Sequence, residues 1–113
     1  MINGIKPEPS TTDFDAAMNR LLEKIQENFD TRSFGGKKMN LSLQKGRKFI
    51  KVVHDNSVWG FISLVDGVHK GAPIKIGDIM KAESWNAAAK HSRGNIFDSE
   101  FHKSFSWTGP NYL

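Results

Sequence analysis

Basic and aromatic residues are interleaved in the middle of the chain, in a pattern that could bind a polyanion. Six cations surround two predicted neighbouring strands: Lys37, Lys38, Lys45, Arg47, Lys48 and Lys51. Phe49, Trp59 and Phe61 lie within those strands. Cations neutralise phosphates, and aromatic rings exposed on a sheet stack with unpaired bases. This combination predicts a binding surface for single-stranded nucleic acid.

The charge of the whole chain is distributed unevenly, which bears on the same question. Residues 31–93 carry twelve basic and four acidic groups, whereas residues 1–30 carry three basic and six acidic groups. Such asymmetry indicates a polyanionic partner. The lysines could equally form a solvated surface that keeps strand edges from aggregating. Both interpretations are open at the level of sequence.

The alternation of side chains along the two strands decides whether the aromatic rings are accessible. Strict alternation places Phe49 and Lys51 on one face of the sheet together with Trp59 and Phe61, while the aliphatic residues face the helix. That aromatic face is either open to solvent or covered by the aromatic C-terminal tail or a partner chain. Covered rings would exclude base stacking.

Catalytic and metal-binding patterns are absent from the sequence. There is no cysteine, and the four histidines have no spacing that is typical of a metal site. The nucleophile motif GxSxG is missing, and SFGGKK (33–38) lies between a helix and a strand, unlike a phosphate-binding loop. We therefore predict no catalytic residues, no metal, no cofactor and a non-enzymatic role.

Hydrophobic periodicity predicts the elements that position these residues. A flexible lead is expected over 1–11 and a single small domain over 12–113. Within the domain the apolar spacing predicts a helix over 13–29. Strands are predicted over 39–44, 48–54, 58–65 and 79–82, with a loop over 66–78 and a short helix over 85–92.

These elements predict an α+β fold. An N-terminal amphipathic helix packs on a three- to four-stranded antiparallel meander, and the aromatic C-terminal tail wraps an edge or the second face of the sheet. No window approaches the length of a membrane span, and the N-terminus does not resemble a signal peptide. We expect no membrane contact and a location in the cytoplasm.

Several motifs in residues 46–113 resemble a group of small proteins encoded by tailed bacteriophages. The segments that carry the resemblance are GRKFIKVV, SVWGFISLVDG, GDIMKAESWNAAAKHSRGNIFD and WTGPNYL. The group shares the pattern GDxxKxASWxxPAKxxRxN and, often, a C-terminal GPxYL. The positions that match are Gly77, Asp78, Lys81, Ala82, Trp85, Ala89, Lys90, Arg93 and Asn95. Ala88 replaces a frequent proline, and residues 67–76 resemble an insertion.

The resemblance implies a place of action rather than a reaction. Proteins of this group act in the cytoplasm of an infected bacterium or are packaged in the virion. We expect a phage accessory protein that binds nucleic acid, with Lys81, Lys90 and Arg93 adding to the basic residues. One alternative is a protein that binds and modulates a host or phage protein, and another is a minor virion component.

The matching residues also predict a structural element, which we call the latch: Gly77, Asp78, Trp85, Ala89 and Asn95. Trp85 is expected to be its buried anchor, so that Trp85→Ala would cost about 3–5 kcal/mol, as for other buried aromatic residues. Lys90 and Arg93 would bind either a carboxylate within the fold or a phosphate outside it.

Overall fold

A computed structural model describes residues 11–32, 40–106 and 109–111 of the chain. The predicted flexible lead falls outside this part, apart from Thr11, where the first helix begins. Lys37 and Lys38, which were predicted to bind nucleic acid, also lie outside the described residues, as do Trp107 and Tyr112 of the aromatic tail.

Helix α1 spans Thr11–Arg32 and presents one apolar stripe to the sheet. Met18, Leu21 and Ile25 are buried in the main core, and other apolar residues of the stripe pack at its margin. The charged residues Glu23 and Lys24 are exposed on the opposite side. The predicted amphipathic helix is therefore confirmed, with both ends longer than periodicity alone indicated.

Within the described residues, nine strands follow the helix, and they form one large and two small antiparallel sheets. Their bounds are β1 Leu41–Lys45, β2 Phe49–His54, β3 Ser57–Ser63, β4 Gly67–His69, β5 Ala72–Ile74, β6 Asp78–Ser84, β7 Ala87–Asn95, β8 Phe105–Ser106 and β9 Gly109–Pro110. A short 3-10 helix, Phe101–Ser104, precedes β8. The large sheet has the order β1-β2-β3-β6-β7. The predicted α+β class is confirmed, but this sheet has five strands rather than three or four.

The fifth strand, β7, replaces the helix that was predicted over 85–92. It pairs antiparallel with β6, so that Asp78 lies opposite Asn95 and Ala82 lies opposite Ala88. Ala88 is buried on the second face of the sheet. Alanine has the highest intrinsic helix propensity, but propensity differences are small and tertiary pairing overrides them here. The helix prediction was therefore wrong.

A bulge between β2 and β3 changes the face on which Trp59 lies. Val52 pairs with Gly60 but Val53 pairs with Val58, so Trp59 is the extra residue and alternation is interrupted there. The indole packs in the helix-side core, with its ring centroid 5.4 Å from that of Phe105. The prediction that Trp59 shares a face with Phe61 was wrong for this reason.

The described part of the C-terminal tail covers the helix side of the sheet, not the second face or an edge as predicted. Trp59 Nε1 donates a hydrogen bond to Ser106 O at 3.0 Å. Pro110 packs directly over Gly60, where a Cβ would lie only 2.9 Å from its Cγ. The glycine thus allows the tail to approach β3 closely.

The second face of the sheet is covered by the β4–β5 hairpin, which lies where a loop was predicted. Ile74 from this hairpin packs with Phe61, Met80 and Ala88 in a second apolar cluster. His69 Nε2 is hydrogen-bonded to Ala88 O at 2.9 Å. The segment that resembles an insertion therefore covers part of the second face of the sheet.

A buried polar network joins the start of β6 to the end of β7. The Asp78 carboxylate accepts hydrogen bonds from Lys75 N at 2.9 Å and from Asn95 Nδ2 at 3.0 Å. Asn95 Nδ2 also donates to Ile76 O at 2.9 Å, and Asn95 Oδ1 accepts from Phe97 N at 2.8 Å. Three of the predicted latch residues, Gly77, Asp78 and Asn95, thus lie together at one turn.

We expect the backbone of Gly77 to be essential to this turn. Its φ is +89°, and a Cβ there would lie 2.8 Å from the Phe97 ring and 2.9 Å from Asn95 Oδ1. Gly77→Ala adds left-handed strain to overpacking, so it should lower the free energy of unfolding by at least about 2 kcal/mol. Urea denaturation followed by circular dichroism measures the change.

Gly71→Ala is the matched control for this prediction. Gly71 has a similar φ of +83°, but beyond its chain neighbours no atom lies within 4 Å of the position that a Cβ would occupy. It should cost only about 1 kcal/mol, from strain alone. Equal losses in the two variants would contradict a role for crowding at Gly77.

Candidate functional site

Four cations line one open groove on the second face of the sheet, and we call it the basic groove. Its volume is about 310 Å³, and the cations are Lys45, Arg47, Lys48 and Lys51. Phe49 and Phe61 form its floor, and Gln44, Gly46 and Asn86 complete the lining. The groove therefore brings together six of the residues that were predicted to bind nucleic acid.

The tight connection between β1 and β2 concentrates three of these cations. Gly46 N donates a hydrogen bond to Phe49 O at 2.8 Å and so closes the turn. A Cβ at Gly46 would lie 3.0 Å from the same oxygen, so glycine suits this position. Lys45, Arg47 and Lys48 consequently extend from one short segment.

The floor of the groove is an ordered aromatic pair. The ring centroids of Phe49 and Phe61 lie 6.0 Å apart in an edge-to-face arrangement. The ring of His69 from the β4–β5 hairpin contacts Phe49 at 5.1 Å. This packing fixes the base of the groove without adding a carboxylate.

The positive charge of the groove is not neutralised within the described part of the chain. Lys48 Nζ donates to Val68 O at 2.6 Å, and Lys51 Nζ donates to Asn86 Oδ1 at 2.8 Å. Both acceptors are neutral, so the charges persist. Lys45 and Arg47 are exposed and form no hydrogen bond or ion pair with a described side chain. No carboxylate is among the described lining residues.

An exposed tryptophan lies beside the groove, at the turn between β6 and β7. Trp85 is 48% exposed, and Lys51 Nζ lies 4.6 Å from the centroid of its ring. Asn86, the other residue of this turn, contacts the same ammonium group. Lys51 therefore connects the groove to the indole.

The remaining predicted basic residues are not part of the groove. Lys81 donates to Pro110 O at 3.1 Å on the helix side of the sheet. Arg93 Nε donates to Asn111 O at 3.0 Å. Lys90 is exposed on β7. The predicted nucleic-acid surface is thus smaller than the sequence suggested.

Two of the three rings that were predicted to stack with bases are inaccessible. Trp59 and Phe61 are each only 4% exposed, and Phe49 is half-buried under the hairpin. Stacking on Trp59 or Phe61 would require the sheet to lose its cover. Trp59 therefore belongs to the helix-side core, and Phe49 and Phe61 form the floor of the basic groove.

One latch residue, Trp85, differs from its prediction, and so does Arg93, which lies in the same segment. Trp85 is half-exposed and belongs to neither core cluster, so it is not the buried anchor. Arg93 binds a main-chain carbonyl of the tail, which is neither a carboxylate nor a phosphate. Ala89 is half-buried within β7.

Sequence reasoning missed Trp85 and Asn86 as neighbours of the groove. The reason is that residues 85–92 were assigned to a helix, which hid the hairpin turn. The signal that could have found them is Asn86 itself, since asparagine is common in tight turns.

Other kinds of site find no support within the described residues. No group of three or more His, Asp or Glu side chains in residues 11–32, 40–106 and 109–111 could hold a metal ion. In the same part of the chain, no helix is both long enough and apolar enough to cross a membrane.

A family model matches residues 9–113, which includes the whole sheet and the basic groove. The chain belongs to DUF7717, a family of unknown function. No curated protein and no solved structure matches the chain. The basic groove and the Asp78–Asn95 network both lie inside the DUF7717 region.

We expect Trp59 and Trp85 of this DUF7717 domain to differ sharply in their effect on stability. Trp59→Ala removes a buried ring and should cost about 3–5 kcal/mol. Trp85→Ala removes a half-exposed ring and a surface cation–π contact, so it should cost only about 1–2 kcal/mol. Chemical denaturation of both variants measures the difference, and equal losses would contradict the exposed position of Trp85.

The ion pair between Lys70 and Glu83 should shift the titration of the glutamate. Lys70 Nζ lies 2.6 Å from Glu83 Oε2, linking the β4–β5 hairpin to β6. The hydrogen bond from Lys70, and then its charge, hold the pKa of Glu83 below its ordinary value. The contribution of the pair to stability is therefore present above the ordinary pKa and is lost as the pH falls through the lowered one.

A carbon-detected NMR titration of the Glu83 carboxyl group tests this assignment. Lys70→Met should raise the pKa of Glu83 toward its ordinary value, while Lys103→Met, which removes the contact with Glu100 instead, should leave it unchanged. An unchanged Glu83 titration in Lys70→Met would show that the pair does not form in solution.

Proposed function

We propose that this protein is a non-enzymatic nucleic-acid-binding protein that holds the phosphate backbone in the basic groove. The observation that carries the proposal is that Lys45, Arg47, Lys48 and Lys51 line one groove with no carboxylate among its described lining residues. Charges that are not neutralised internally are available to phosphates, and counterion release then supplies much of the affinity.

The distribution of the cations favours a polymer over a small anion. Lys45 and Arg47 are exposed side chains of the β1–β2 turn, whereas Lys51 lies further along β2 beside the β6–β7 turn. A site for a single phosphate would concentrate its donors on one point. Cations that follow a strand and its turn instead suit successive phosphates of a chain.

The chemistry of the lining supports binding rather than catalysis. Among the described lining residues, only the lysines carry a group that could act as a nucleophile or general base, and none of them contacts a second catalytic group. The resemblance of residues 46–113 to tailed-phage proteins supports placing this binding activity in an infected bacterium or a virion.

Exposed apolar side chains favour a second candidate, the binding of a host or phage protein. Trp85 is 48% exposed and Val68 is 62% exposed. Half-exposed tryptophans are frequent anchors of protein interfaces. The charge of the groove beside Trp85 makes nucleic acid the better candidate.

The salt dependence of binding tests the proposed function. We expect the affinity for a labelled single-stranded oligonucleotide, measured by fluorescence anisotropy, to fall with salt with a logarithmic slope of roughly −3, as for four phosphate contacts. Lys45→Gln combined with Arg47→Gln should reduce the slope to about half, since two of the four contacts are lost.

A matched double variant provides the control. Lys75→Gln combined with Lys90→Gln removes the same charge from exposed positions that do not line the groove. It should leave the slope nearly unchanged. Equal effects of the two double variants would contradict the groove as the binding site, and the absence of any salt-dependent binding would contradict the proposed function. Recovery of one host protein from infected cells in that case would favour the second candidate.

A further inference from the structure

The turn between β6 and β7 carries an exposed tryptophan, Trp85, which phosphate binding alone would not require. Its two residues, Trp85 and Asn86, connect Ser84 to the paired Ala87. Two-residue hairpin turns favour glycine, asparagine and aspartate. Trp85 contributes to neither core cluster, and it is 48% exposed, so about half of its surface is left for contact with something outside the fold.

Lys51 holds the indole in a defined position. Its ammonium group lies 4.6 Å from the ring centroid and also donates to Asn86 Oδ1 at 2.8 Å. The cation lies over one side of the ring, and the residue is still 48% exposed, so part of the indole is accessible to a ligand. A ring held in this way loses little conformational freedom when a flat ligand stacks on it.

Asn86 places a side-chain amide, which can donate a hydrogen bond to a ligand, next to the Trp85 ring. Its Oδ1 accepts from Lys51, which orients the side-chain amide. The amide Nδ2 forms no hydrogen bond within the described structure, and Asn86 is one of the residues that line the groove. It can therefore donate to an acceptor on a base edge, a sugar or a phosphate.

We infer that Trp85 stacks with a base of single-stranded nucleic acid while the adjacent phosphates lie in the basic groove. The inference rests on the proposed function and specifies its ligand. Bases in a duplex are already stacked and paired, so only an unpaired base can lie on an isolated surface ring. The protein should then prefer single strands to duplexes, with little dependence on sequence.

The experiment compares a single-stranded oligothymidine with an abasic strand of the same length and with a duplex. The abasic strand keeps the phosphates but has no base to stack. By anisotropy, Trp85→Ala should weaken binding of the oligothymidine by about five- to a hundredfold and leave binding of the abasic strand unchanged. Trp85→Phe should retain most of the affinity, because a phenyl ring also stacks.

Tryptophan fluorescence gives an independent readout. Binding of oligothymidine should quench the emission of the wild-type protein, and Trp85→Phe should lose this quenching while it still binds. Circular dichroism of each variant separates loss of stacking from loss of folding. The half-exposed position of Trp85 predicts that the variants fold.

The outcomes separate this inference from the proposed function. Equal binding of the base-containing and abasic strands, together with no effect of Trp85→Ala, would overturn base stacking and leave phosphate binding in place. Tighter binding of the duplex than of the single strand would also overturn it. Failure of the wild-type protein to bind any strand, including the abasic one, would overturn the proposed function itself.

Discussion

The central constraint on this fold is that both faces of the five-stranded sheet are apolar and both must be covered. Helix α1 and the C-terminal tail bury one face around Ile62 and Ile79, which are fully inaccessible. Among the described residues, the other face is covered by the β4–β5 hairpin, whose strands are three residues long. The hairpin packs on Phe61 and Met80 through Ile74. The basic groove lies beside this short cover, and His69 and Val68 of the hairpin contact its residues Phe49 and Lys48.

The polar network at Asp78 and Asn95 fixes where β6 begins and where β7 ends. It thereby holds the sheet in position between the helix on one face and the β4–β5 hairpin on the other. A buried carboxylate is destabilising without hydrogen bonds, and here main-chain and amide donors satisfy it. The same corner contacts the helix, since Arg20 donates to Ile96 O at 3.0 Å. Gly77 O accepts from Ile96 N at 2.9 Å, which extends the pairing past β7. One turn therefore sets the positions of the hairpin, the edge strand and the helix.

Hydrophobic periodicity along the sequence predicted much of this fold. The wrong predictions for Trp59 and for residues 85–92 share one physical origin. The helix stripe and the strands β1 to β3 follow from periodicity, which reflects burial on one side. The bulge at Trp59 and the strand β7 depend on how two consecutive strands pair across a tight turn, and the periodicity within one strand does not contain that information. For the site, the cluster from Lys45 to Lys51 was predictable because its residues are close in sequence. Trp85 could not be assigned to it, since the hairpin that brings it to Lys51 was assigned to a helix.

The charge of the groove is a property of the whole arrangement rather than of its lysines alone. Acidic residues are present on the same side of the molecule, but Glu83 is paired with Lys70 and does not line the groove. Lys48 and Lys51 are held by the neutral oxygens of Val68 and Asn86, so they are positioned without being neutralised. A carboxylate in either place would fix the same side chain and cancel its charge. In the proposed function, the hairpin and the β6–β7 turn position these cations for phosphates, and the turn adds an exposed ring on which a base would stack.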